Sequence, residues 1–173
     1  MWRRIKRTFK HRWLSPASMQ LAVGTDMLSR LAQRVAASEQ RHSGDIRICV
    51  EAGLPLSYLW RDASMRQITR QRALAMFGKL RVWDTAHNNG VLIYLLLAER
   101  SIELVADRGL NDLVEADVWQ TLVQRMRGAF QQGRFEDGLT QALDEVTALL
   151  VEHFALQPGR RNPNELPDAP VLN

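Results

Sequence analysis

The chain has 173 residues, 46% of them hydrophobic and 24% charged, which suits one soluble domain with a proper core and short tails. The net charge of +4 is concentrated in residues 1–13, where Arg3, Arg4, Lys6, Arg7, Lys10 and Arg12 stand with no acid, so the remainder is slightly acidic. That distribution argues against a nucleic-acid-binding face spread over the fold. A single cysteine, Cys49, excludes an intrachain disulfide and a cysteine-rich metal site; it reads as a small buried apolar residue.

Taken in chain order, Trp2, Ile5, Phe9 and Trp13 form one helical stripe, with Lys and Arg elsewhere on the helix. A basic aromatic arm of this kind suits an anionic membrane surface. Trp2, Arg3, Arg4, Lys6, Arg7, Phe9, Lys10 and Trp13 are its candidate membrane-binding residues. No apolar h-region follows the charges, and Val91–Ala98 falls far short of the about 20 apolar residues of a membrane span. The expected location is therefore cytoplasmic, peripheral at the inner membrane.

After Ser15-Pro16, Leu28, Leu31 and Val35 predict a helix, and Glu39 continues their stripe onto the face that should be buried. A carboxylate there is costly unless it is paired or binds something. His42-Ser43-Gly44 ends the helix, with Gly44 expected in the left-handed cap. Ile46, Ile48 and Val50 alternate with Asp45, Arg47 and Cys49, the period of a half-buried strand. A helix is expected from about Arg61 to Leu80.

The central stretch follows. Asp84-Thr85-Ala86-His87-Asn88-Asn89-Gly90 is a polar loop with a turn signal, delivered to a fully apolar strand from Val91 to Leu97. Open α/β folds place ligands at strand ends. A second strand, from Ser101 to Val105, pairs with it through a turn near Glu99-Arg100 and ends at Asp107-Arg108-Gly109. Asp112 and Glu115 have capping-box spacing for a helix carrying Val118, Leu122, Met126 and Phe130. Leu139, Leu143, Val146 and Leu150 mark a last helix from about Glu136 to His153. Residues 156–173 hold four of the six prolines without apolar periodicity and read as a disordered tail.

This order predicts an α/β protein: a small mixed sheet with a central hairpin, covered by helices on both faces. The divisions are an arm at 1–24, a domain at 25–155 and a tail at 156–173. No Walker A, G-x-G-x-x-G or G-x-S-x-G pattern is present. The four histidines, His11, His42, His87 and His153, lack zinc-ligand spacing and read as surface residues. An EF-hand fails because the twelfth position from Asp84 is Leu95 rather than a bidentate Glu. What remains is oxygen chemistry: Glu39, Asp84, Asn88, Asn89 and Asp107 suit a hard cation, Ca²⁺ or Mg²⁺.

His42-Ser43-Gly44-Asp45-Ile46-Arg47, Asp84 to Leu95 and Ile102 to Leu110 together resemble the TPM domain family, as do Trp119 and Phe130 to Gly138. The resemblance covers about residues 25–155, and Asn88-Asn89-Gly90-Val91-Leu92 is its most specific part. It implies a three-layer α/β/α sandwich. Some thylakoid relatives are described as acid phosphatases, some members bind calcium, and many are membrane-anchored. Asp107-Arg108-Gly109 stands where many relatives carry a glycine-flanked aromatic. The leading expectation is a divalent-cation-binding interaction module acting with a membrane or a membrane-bound partner. A metal-assisted phosphatase, with Asp84 or Asp107 as ligand or base, is the alternative, and a purely structural role for these residues is the third reading.

Overall fold

The computed structural model describes residues 7–11, 19 and 22–173. Residues 7–11 are helical, and the rest of the arm stripe lies outside the described residues. The domain proper runs α1 (Thr25–Glu39), β1 (Ile46–Glu51), α2 (Leu56–Leu59), α3 (Met65–Lys79), β2 (Val91–Leu96), β3 (Ser101–Ala106), α4 (Arg108–Asn111), α5 (Ala116–Gln131), α6 (Phe135–Phe154) and β4 (Val171–Leu172). The sheet order is β3-β2-β1-β4. β1 is parallel to β2 and to β4, whereas β2 and β3 form an antiparallel hairpin.

Side-chain alternation divides the sheet between two cores. Ile46, Ile48, Val50, Val91, Ile93, Leu95, Ile102 and Leu104 face α1, α5 and α6. Cys49, Leu92, Tyr94, Leu96 and Val105 face α2 and α3. The architecture is thus a three-layer α/β/α sandwich, and burial on both faces explains why every residue of β2 is apolar and buried. β1 differs from its expectation. Its alternating residues are not a solvent face: Arg47 is half-buried and donates to the carbonyls of Pro167 and Ala169, and Glu51 is buried against α3, accepting from Arg72 Nη2 at 2.6 Å and from the Tyr94 hydroxyl at 2.6 Å.

Local chemistry moves several boundaries. The helix expected from Arg61 starts at Met65, because Ser64 and Gln67 form a reciprocal capping box. The expected Asp112–Glu115 box is absent: Asp112 ends α4, and Glu115 precedes α5 without a side-chain cap bond. Gly44 is not left-handed; α1 ends at Glu39 with Gln40 as its C-cap. Glycine is needed there for close approach, since a Cβ would lie 2.6 Å from Leu150 and 2.9 Å from the Asn89 carbonyl.

The expected disordered tail is also overturned. Residues 156–173 run as a strap along the β1 edge and end in β4. The absence of periodicity misleads because the strap is held by hydrogen bonds rather than by an apolar face. Asn162 Nδ2 donates to the carbonyls of His42 and Gly44, the Asn173 amide donates to Val50, and Leu166 is the strap's buried anchor.

Candidate functional site

The register of the sheet decides where the polar loop lies. Ile46 pairs with Val91, and Val91 with Ala106. Asp45, the 84–90 loop and Asp107 therefore gather at the amino ends of β1 and β2 and the carboxyl end of β3. Ligand crevices of open α/β sheets lie at carboxyl ends, so the strand-end expectation is corrected. At the carboxyl end of β1 stands the Glu51–Arg72–Tyr94 network, completed by Asn173 Nδ2 at 2.8 Å from Glu51.

At the amino end, Glu39 is the last residue of α1 and is buried as its stripe position demands. Its Oε1 accepts the Ile46 amide at 2.9 Å, while Oε2 is buried with no N–H or hydroxyl donor, and the Asp168 carboxyl lies within hydrogen-bonding reach of the side chain. Burial pushes its pKa up to about 8, with Asp45 and Asp168 adding to the rise against the Ile46 bond. Asp45 is fully buried. Its Oδ1 accepts the Glu165 amide at 3.0 Å and its Oδ2 has no partner. Burial raises Asp45 to about 6.

On the neighbouring strands, Asn88 sits at a positive φ of 51° and its carbonyl accepts the Gly109 amide at 2.8 Å. Asn89 is buried; Thr85 Oγ1 accepts its amide and its Nδ2 donates to Ser43 Oγ at 3.3 Å. Asp107 Oδ1 accepts the Arg108 amide at 2.7 Å, and its Oδ2 is a third buried carboxylate oxygen without a partner. Glu165 Oε2 accepts the Ala86 amide at 2.9 Å, so the strap ties this loop to Asp45.

The structure gathers Glu39, Asn88, Asn89 and Asp107 at this end and leaves Asp84 apart, exposed and paired with Arg81 at 2.5 Å. Among the described residues, no three His, Cys, Asp or Glu side chains form a ready metal cage. Any cation would also need amide, carbonyl or hydroxyl oxygens, which the loop supplies.

The sequence belongs to a known family. The TPM domain matches residues 25–149. This chain is a TPM-domain protein. The NMR structure of BA42 protein from the psychrophilic bacterium Bizionia argentinensis sp. nov. superposes with a TM-score of 0.72 at 24% identity, covering 87% of this chain and 95% of that one. At that identity the likeness establishes the fold alone. No curated protein matches the sequence.

Asp45, Glu165 and Asp168 are the carboxylates that sequence reasoning did not assign to this site. Asp45 carried a signal, as the charged residue immediately before a buried strand; the other two lie in the strap. The histidine expectation is corrected too. His42 is buried, and burial lowers its pKa to about 4. Its Nδ1–H donates to the Gly44 carbonyl at 3.0 Å, which leaves Nε2 to accept from the Ser38 hydroxyl at 2.8 Å. His11 is buried as well, against Glu99 at 2.9 Å.

Of the arm residues, Arg7 donates to the Ala63 carbonyl, Lys10 pairs with Glu99 and Phe9 is 67% exposed. Trp2, Arg3, Arg4, Lys6 and Trp13 lie outside the described residues. Among the described residues, no helix is long and apolar enough to cross a membrane.

Proposed function

We propose that this TPM-domain protein is a divalent-cation-binding interaction module, taking Ca²⁺ or Mg²⁺ at the amino ends of β1 and β2. One observation carries the reading. Glu39 Oε2, Asp45 Oδ2 and Asp107 Oδ2 are buried carboxylate oxygens that no donor meets in hydrogen-bond geometry at one end of the sheet, and the Asp168 carboxyl adds further negative charge beside Glu39 and Asp45. Leaving such oxygens unpaired costs free energy that a proton or a hard cation recovers. Glu39 and Asp45 would anchor the ion, with carbonyl and amide oxygens of the Asn88–Asn89 loop completing the set. Titration calorimetry with CaCl₂ and MgCl₂ at pH 8.5, above the Glu39 pKa, tests this. Saturable heat that disappears in Glu39→Gln supports the site; no saturable heat, or heat that survives the substitution, removes it.

The interaction half of the reading rests on the arm, whose exposed Phe9 and basic residues suit an anionic surface. Co-sedimentation with anionic vesicles, full chain beside a chain starting at Gln20, is its test. Equal binding by both would withdraw the membrane surface.

A further inference from the structure

β3 is an edge strand, and its hydrogen-bond phase is fixed by the Asp107 amide, which donates to the Gly90 carbonyl at 2.9 Å. In an antiparallel pair the bonded residues alternate. The backbones of Ser101, Glu103 and Val105 therefore face β2, and those of Ile102, Leu104 and Ala106 face outward. Arg70 Nη1, which donates to the Leu104 carbonyl at 2.5 Å, confirms that phase. It satisfies one outward acceptor and leaves the others without a strand to pair with.

This edge forms the floor of an open groove of about 790 Å³, walled by α3 on one side and α5 on the other. Its charge is one-sided. Four arginines, Arg66, Arg70, Arg100 and Arg127, line it against two carboxylates, of which Glu103 pairs with Arg70 inside the groove and Glu99 pairs with Lys10 and His11. Arg66 and Arg127 make no ion pair among the described residues. Two lining donors, the Ser101 hydroxyl and the Trp119 indole N–H, have no acceptor.

We propose that the groove docks an extended acidic peptide segment of a partner protein by strand addition to β3. The partner's backbone would pair with Ile102, Leu104 and Ala106, and its carboxylates would meet Arg66 and Arg127. Arg70 gives up the Leu104 carbonyl as the added strand arrives. The observation is separate from the cation site, and the test is run without divalent cations, so its failure leaves that reading untouched.

The probe is a fluorescein-labelled peptide of alternating Val and Glu, beside its Val and Lys counterpart, read by anisotropy against the full chain. The acidic peptide is expected to bind and the basic one not to. Arg66→Glu with Arg127→Glu should weaken binding about tenfold or more. Ala106→Pro removes an outward N–H at an edge position where proline is tolerated, and it should weaken binding at an unchanged melting temperature. Should Ala106→Pro not fold, the arginine pair, both members exposed, decides alone. Equal binding of both peptides, no binding, or charge reversal without effect overturns the proposal. A concentration-dependent dimer abolished by the arginine reversal would assign the edge to a second copy and equally overturn it.

Discussion

Glu39 Oε1 accepts the Ile46 amide at 2.9 Å, so the last residue of α1 is bonded to the first residue of β1. The bond fixes one carboxylate oxygen and buries the other without a donor. It places a titratable group where strand, helix and strap meet, and the pH behaviour of the fold follows from it.

Glu39 keeps its proton in the folded protein up to about pH 8, against 4.5 as its ordinary value. The folded state binds the proton more tightly, so this contribution to stability is fully present below 4.5 and is lost as pH rises through 8. Asp45 acts in the same direction between 3.8 and about 6. Urea unfolding from pH 4.5 to 8.5 should show Glu39→Gln with a markedly flatter decline than the wild type. Parallel curves would mean that Glu39 is solvated.

His42 works in the opposite sense. Its folded pKa of about 4 lies below its ordinary 6.5. The stability it contributes is present above 6.5 and is lost as pH falls through 4. His42→Gln should remove that acid limb, at a cost of about 1–3 kcal/mol near neutral pH for the hydrogen bonds left unmade. Denaturation midpoints at pH 5 and pH 7 separate the two effects.

Arg72 and Glu51 are both largely buried and bonded at 2.6 Å. Arg72→Met should cost about 3–5 kcal/mol, because it strands a buried carboxylate. Glu51→Gln added to it should restore part of that loss. A single substitution costing under about 1 kcal/mol, the range of an exposed pair, would contradict the burial.

Two glycines give a contrast that needs no ligand. A Cβ on Gly90 would lie 2.0 Å from the Val82 carbonyl oxygen, whereas one on Gly78 meets nothing within 4 Å. Gly90→Ala should destabilise by about 3 kcal/mol as the loop is pushed off β2. Gly78→Ala, on the exposed face of α3, should stabilise by about 0.5–1 kcal/mol. Paired thermal melts check both.

The sheet and its covering helices were legible because their residues carry the period of the element they form. Val91 to Leu96 is apolar on both faces since both are covered, and Leu139, Leu143, Val146 and Leu150 repeat at helical spacing and are all buried. Glu39 was legible for the same reason, as a charge in a core stripe. The strap was not: Asn162 bonds the carbonyls of His42 and Gly44, and Glu165 bonds Asp45 and Ala86, residues from 79 to 120 positions away, and such contacts leave no local pattern. Glu51 was hidden because a polar residue on a strand signals solvent unless Arg72 and Tyr94 are known to meet it. Asp84 misled in the other direction. It belongs to the loop in sequence, but Arg81, three residues before it, holds it at the surface.

The measurement closest to the central claim is a thermal-shift titration with Ca²⁺ and with Mg²⁺ at pH 8.5, on wild type, Glu39→Gln and Asp84→Asn. A ligand of the native state at 100 times its Kd adds about 2.7 kcal/mol, or about 5–10 °C for a chain of this size. That rise is expected in wild type and in Asp84→Asn, and its loss in Glu39→Gln. No rise with either ion, or a rise that Glu39→Gln retains, would contradict the cation site.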